Sequence, residues 1–191
     1  MNGSLRAKVG QSFCPKWAVS LGWQSGVYCA MNATQTEGSP REVASKSMMQ
    51  TPCSDYKETK GLIYFARMLD KIRLRAEGRL PADYLTGVED WTFFDARCTR
   101  FLGVDYDALA SRTLEGGSDE EVLEWCFEKG RRPSEEEIEI WNAFLAKRGW
   151  RDAGSEDLRA AKERAGWAGR DDIQTWVDLH DAEEGRKPGG R

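Results

Sequence analysis

Lys57-Glu-Thr-Lys-Gly-Leu-Ile-Tyr-Phe-Ala-Arg-Met-Leu-Asp-Lys-Ile-Arg-Leu-Arg-Ala-Glu-Gly78 reads as an amphipathic helix with its own stop signal. Leu62, Phe65, Leu69, Ile72 and Ala76 recur at three- and four-residue spacing and line one face of a 3.6-residue helix. Arg67, Lys71 and Arg75 follow one another every four residues on a different face, and Gly78 suits the position just past a helix C-terminus. The segment concentrates positive charge in a body that is otherwise acidic. It predicts a first helix from about Thr59 to Glu77 and opens the globular part of the chain.

Working outward, the same signals repeat. Asp90 to Leu102 predicts a second helix, with Trp91, Phe94, Cys98 and Phe101 on one stripe and Gly103 as its stop. Asp105 caps a third, to Leu114. Ser118 with Glu121, and Ser134 with Glu137, form capping boxes for a fourth and a fifth. The fourth carries Val122, Leu123, Cys126 and Phe127, and the fifth carries Ile138, Trp141 and Leu145. Ser155 caps a sixth, and Asp171 or Asp172 a seventh carrying Ile173, Trp176, Val177 and His180. No segment alternates apolar and polar residues in the manner of a strand. The expected fold is all-α: a compact orthogonal bundle of six to seven short helices over residues 57–186. Residues 1–56 are read as a poorly structured, flexible extension or a mis-assigned start, with Met31 or Met48 as alternatives to Met1, and 187–191 as a disordered tail.

Composition narrows the function classes. The chain has 191 residues, 40% of them hydrophobic and 31% charged, which is ordinary for one domain with tails. Residues 1–50 hold five Lys or Arg against two Asp or Glu, and the remainder 23 against 30, so the body carries a net charge of −7. An acidic body speaks against nucleic acid as a partner, because phosphate binding rests on Lys and Arg. No stretch reaches the roughly 18 apolar residues of a membrane span. Gly22, Gln24, Ser25 and Gly26 break the apolar run from Trp17 to Met31, which therefore falls short of a signal peptide. Five scattered cysteines without a CxxC pair exclude the usual zinc spacing and fit a reducing, cytoplasmic setting.

Catalytic signatures are missing. Neither GxxxxGK[ST] nor GxGxxG nor GxSxG occurs, and His180 is a lone histidine without a second ligand set. No metal or cofactor is expected. Two binding candidates remain: the stripe Arg67, Lys71 and Arg75, suited to a carboxylate or phosphate, and Arg148, Trp150 and Asp152 in Lys147-Arg-Gly-Trp-Arg-Asp152. The preferred reading is a non-enzymatic module binding a protein or a small anionic ligand. The alternative is an enzyme whose acid–base site is built from Asp70, Asp152 and Asp178.

Several strings carry a family resemblance: Gly61-Leu-Ile63 with Arg67-Met-Leu-Asp-Lys71, Phe101-Leu-Gly-Val-Asp105, Asp119-Glu-Glu-Val-Leu-Glu-Trp125, Pro133-Ser134 and Trp141-Asn142. Lys147 to Asp152, Arg170 to Thr175, Asp178 and Asp181 to Arg186 complete the set. Over about residues 57–186 the chain resembles the bacterial domain-of-unknown-function family numbered 5069. That family has no established activity, so the resemblance implies a domain and no catalytic residues. It tends to an aliphatic residue where His180 stands, which lowers His180 as a catalytic candidate.

Overall fold

The computed structural model describes residues 48–189. Residues 1–47 of the anticipated extension and the alternative start at Met31 fall outside these residues. The described chain forms seven helices in order: α1 Phe65–Ala76, α2 Phe94–Leu102, α3 Tyr106–Leu114, α4 Asp119–Lys129, α5 Glu135–Lys147, α6 Ser155–Arg164 and α7 Trp176–Glu183. No strand occurs among the described residues, only an isolated bridge between Thr59 and Leu62. The all-α bundle expected from periodicity is the observed fold.

Helix α1 is the core element. Phe65, Met68, Leu69 and Ile72 pack with Leu102 of α2, Leu109 of α3, Val122, Leu123 and Cys126 of α4, Trp141 and Leu145 of α5 and Val177 of α7. α3 lies against α1, α2 and α4, and α5 lies against α7. A smaller cluster joins Leu158 of α6 to Ile173 and Leu179, with Trp167 and Trp176 along its edge. Cys98 and Cys126 are fully buried free thiols, as small apolar residues on inward faces should be.

The observed boundaries correct the expected ones for local reasons. α1 starts six residues later than Thr59, because Lys60 and Gly61 both take positive φ (48° and 79°) and close a two-residue turn between Thr59 and Leu62. Tyr64, at φ 73°, then turns the chain into the helix. Ala76 is exposed rather than part of the apolar face. α2 starts at Phe94 instead of Asp90: the Asp90 carboxylate accepts from the Thr92 backbone N–H and hydroxyl, both at 2.7 Å, and holds a turn that leaves Trp91 outside the helix and 67% exposed.

The cap of α6 is Gly154, with Ser155 inside the first turn. The cap of α7 is Thr175 rather than Asp171 or Asp172, in a capping box closed by Asp178. The capping boxes of α4 and α5 form as read from their Ser-x-x-Glu spacing. The domain also begins before residue 57. Pro52 and Asp55 are buried, and the Asp55 carbonyl accepts from the Tyr64 N–H at 2.8 Å at the start of α1.

Candidate functional site

Two arginine-rich regions emerge, and the two sequence-derived candidates fall one in each. Arg67 and Lys71, read from the sequence as part of a ligand-binding stripe, are buried at 3% and 4% exposure; Arg75, one turn on, is exposed. A charge held from water must be matched, and both are. The Arg67 fork donates to both oxygens of Glu184 at 2.9 and 2.5 Å and to the Cys53 carbonyl at 2.8 Å, while its Nε stands 3.4 Å from Asp55. Tyr84 donates to Glu184 at 2.7 Å, and Arg186 pairs with Glu184 and, at 2.7 Å, with Asp181.

Lys71 has its own set of partners. Its ammonium lies 2.7 Å from Asp95 and donates to the Leu85 carbonyl at 2.9 Å and the Tyr64 hydroxyl at 3.0 Å; that hydroxyl donates to Asp95 at 2.7 Å. The Gly87 N–H donates to the other Asp95 oxygen at 3.0 Å, so the 81–93 connector is tied to α1 and α2. Burial drives the Tyr64 phenol well above its usual range, and neighbouring Asp95 adds to the effect. Arg73 reaches Asp119 of α4 at 2.7 Å rather than Glu77 in its own helix.

His180 closes one edge of the network, with Nδ1 3.2 and 3.3 Å from the two oxygens of Asp55. Its ring packs edge-on to Phe94 and tilts against Trp176, leaving about a quarter of the side chain exposed. Burial works to raise the Asp55 carboxyl, but His180, Arg67 and Lys71 outweigh it and hold the group below the usual carboxylate range. Glu183 beside it shifts the other way, raised by burial and by Asp83.

The second region is at the surface, where the 90–93 turn, α2 and the end of α5 meet. An aromatic column runs Phe101, Trp141, Phe144: the first two rings stack at 4.9 Å and 19°, and Phe144 follows at 6.2 Å. The Arg97 guanidinium lies 5.4 Å from the Phe144 ring and 5.1 Å from the Trp91 ring, and Arg131 lies 5.1 Å from Phe101 at the other end. Arg97 Nε donates to the Thr92 carbonyl at 3.0 Å and Arg100 to the Trp91 carbonyl at 2.7 Å. Neither arginine has a carboxylate within 4.0 Å among the described residues. Partial burial lowers the Arg97 pKa, and Arg148 and Arg100 lower it further, against the opposite pull of Asp152 and Asp90.

Arg148 joins that group through the loop after α5. Gly149 takes φ 97°, and a Cβ there would stand 2.8 Å from Leu158 and 3.1 Å from Trp176, so the chain turns there only with glycine. Asp152 accepts from the Gly149 and Gly154 N–H groups at 3.1 and 2.7 Å and from Arg148 at 2.7 Å. Burial opposes its ionisation, but these three donors hold its pKa low. Trp150 is 45% exposed with Arg151 5.0 Å from its ring.

Asp70, Asp152 and Asp178, grouped as an acid–base alternative, have separate backbone duties. Asp70 accepts from Cys53 at 3.0 Å, Asp152 orders its own loop, and Asp178 accepts from Thr175 at 2.9 Å. No group of three or more His, Cys, Asp or Glu side chains among the described residues is placed to hold a metal ion. No described helix is long and apolar enough to cross a membrane.

Sequence reasoning missed Asp55, Tyr84, Asp95 and Glu184 as partners of the α1 cations, and Arg97, Arg100, Trp91 and Phe144 as a surface. Arg97 and Arg100 carried one usable signal, three-residue spacing on a helix whose apolar stripe lies elsewhere.

A search of curated proteins gives no match to the chain. The family model described as Domain of unknown function (DUF5069) matches residues 49–186, and that span takes in both regions and the Cys53–Asp55 segment. On that match, the chain belongs to the DUF5069 family.

Proposed function

We propose that the domain is a non-enzymatic binding module for an anionic ligand, whether part of a protein or a small molecule, acting in the cytoplasm. Its contact face is built on Arg97, Arg100 and Arg148 with Trp91, Phe144 and Trp150. One observation carries the reading: among the described residues Arg97 and Arg100 donate to backbone carbonyls and pair with no carboxylate, and Arg97 lies against the exposed rings of Trp91 and Phe144. Guanidinium N–H groups left over in that position suit the bidentate geometry of a carboxylate or phosphate. Arg67 and Lys71, by contrast, are already matched by Glu184, Asp55 and Asp95, which leaves Arg75 alone of that stripe open to a ligand. The free thiols Cys53, Cys98 and Cys126 fit a reducing compartment.

The test is a titration of the full chain with pyrophosphate and, separately, with an oligoglutamate peptide, read in arginine Nε–H and tryptophan indole resonances. Saturable shifts of Arg97, Arg100 and the Trp91 indole, absent in an Arg97→Gln/Arg100→Gln variant, are expected. Shifts confined to other residues, or none with either probe, overturn the proposal.

A second reading, an acid–base enzyme, draws on His180 alone. A buried carboxylate orienting Nδ1 of a partly exposed imidazole is an arrangement used in proton transfer. It requires an activity that His180→Gln removes while the thermal midpoint holds.

A further inference from the structure

We infer that the ligand of the Arg97 face is an acidic segment of another protein that carries apolar side chains between its carboxylates, an inference that rests on the binding module proposed above. The first argument is shape. Small ligands are held in concave sites that bury about 70–90% of their surface. Here Trp91 stands 67% and Phe144 36% exposed, so the rings beside Arg97 face outward. An open face suits a partner that supplies its own extent.

Apolar reach is the second argument. Ile140 is exposed one turn before Phe144 on α5, and Trp91 and Phe144 are themselves exposed. Exposed large apolar side chains around an arginine cluster have the composition of an interface centre, which is rich in aromatic residues and arginine.

Charge gives the third argument. Among the described residues Arg97 and Arg100 pair with no carboxylate, and Arg148 pairs with Asp152. The two guanidiniums without a carboxylate match one or two incoming ones. A nucleic-acid strand presents a phosphate at each nucleotide and depends on many cationic contacts, more than this small arginine cluster supplies. The apolar side chains of an acidic peptide, placed between its carboxylates, cover the rings that lie between the arginines.

The experiment is selection of short random peptides, displayed on phage, against the immobilised full-length protein. Synthetic versions of the winners, oligothymidylate and pyrophosphate are then titrated in solution. Enriched peptides should combine Asp or Glu with Leu, Phe or Trp. Their affinity should fall at least about tenfold in Arg97→Glu/Arg100→Glu, at least about tenfold when their acids become amides, and by about threefold or more in Trp91→Ala. If the Glu variant fails to fold, Arg97→Gln/Arg100→Gln replaces it with the same expected direction. Winners without acidic residues, winners indifferent to Arg97 and Arg100, or a library that yields nothing overturn the inference. If pyrophosphate or oligothymidylate then binds in an Arg97-dependent way, the binding module stands and only the protein partner falls. If none of the three ligands binds, both fall.

Discussion

Arg67 and Arg97 are the same chemical group in opposite circumstances. Arg67 is buried on the core helix, with a bidentate bond to Glu184, a carbonyl at Cys53 and a second carboxylate at Asp55. Arg97 lies at the surface between two aromatic rings, and among the described residues it has one backbone bond and no carboxylate. The difference separates structural charge from available charge. A buried cation costs several kcal/mol in lost solvation and persists only where partners return that energy, leaving nothing for a ligand. A half-buried cation over rings keeps unused donors and raises the value of the next anion to arrive.

Removing one side of the buried pairing breaks the comparison hardest. Arg67→Met leaves Glu184 and Asp55 short of their main counter-charge, and about 3–5 kcal/mol of stability should be lost, measured as a lower urea midpoint. Arg97→Met should cost about 1 kcal/mol or less, since an exposed cation–ring contact is worth no more than that. Equal losses for the two would erase the distinction drawn between the regions.

A double replacement sharpens it. Asp95→Asn or Lys71→Met alone should each destabilise by about 3 kcal/mol or more, and the combined variant by clearly less than their sum, because the second change removes the orphaned partner of the first. Strict additivity in a denaturation cycle would show that the 2.7 Å contact carries no coupling.

The loop that presents Arg148 comes next in size. Gly149→Ala forces a Cβ into a φ of 97° against Leu158, and a loss of about 1–3 kcal/mol is expected by thermal melting. Because Arg148 and Trp150 flank this residue, ligand affinity at the Arg97 face should weaken in the same variant.

The smallest effect is a pH dependence confined to the buried region. Asp55 is held below its ordinary 3.8, so its contribution is present above about pH 4 and is lost as pH falls further. Tyr64 is raised above its ordinary 10.0, so its contribution is present below about pH 10 and is lost as pH rises beyond. Denaturation midpoints should fall at both ends. Asp55→Asn should flatten the acid limb and Tyr64→Phe the alkaline one, and limbs unchanged by these substitutions would detach the pH response from the network.

The helix count and most helix ends were legible because they are local. Ser118 and Ser134 announced α4 and α5 through capping chemistry complete within four residues, and Gly103 ended α2 in the left-handed conformation its type permits. The misread starts also have local causes that compete with periodicity: the Lys60-Gly61 turn before α1 and the Asp90 turn before α2. The short strings that carried the family resemblance prove to be contacts. Asn142 binds the backbone of Gly61 and Ile63, Trp141 donates to the Ile63 carbonyl, and Asp181, Glu184 and Arg186 form the frame around Arg67.

The partners of α1 were hidden because they come from far along the chain. Glu184 lies 117 residues from Arg67, and Asp55 lies in a stretch that reads as extension. Amphipathic periodicity assumes one wet face, and a helix surrounded by others has none. By itself the sequence determined that this protein is a bundle of short capped helices in an acidic domain, since caps, turns and apolar spacing act over a few residues. Only the tertiary structure decided which of its cations are buried and matched and which stay at the surface. That depends on which distant carboxylates folding brings within about 3 Å, a distance that no local spacing fixes.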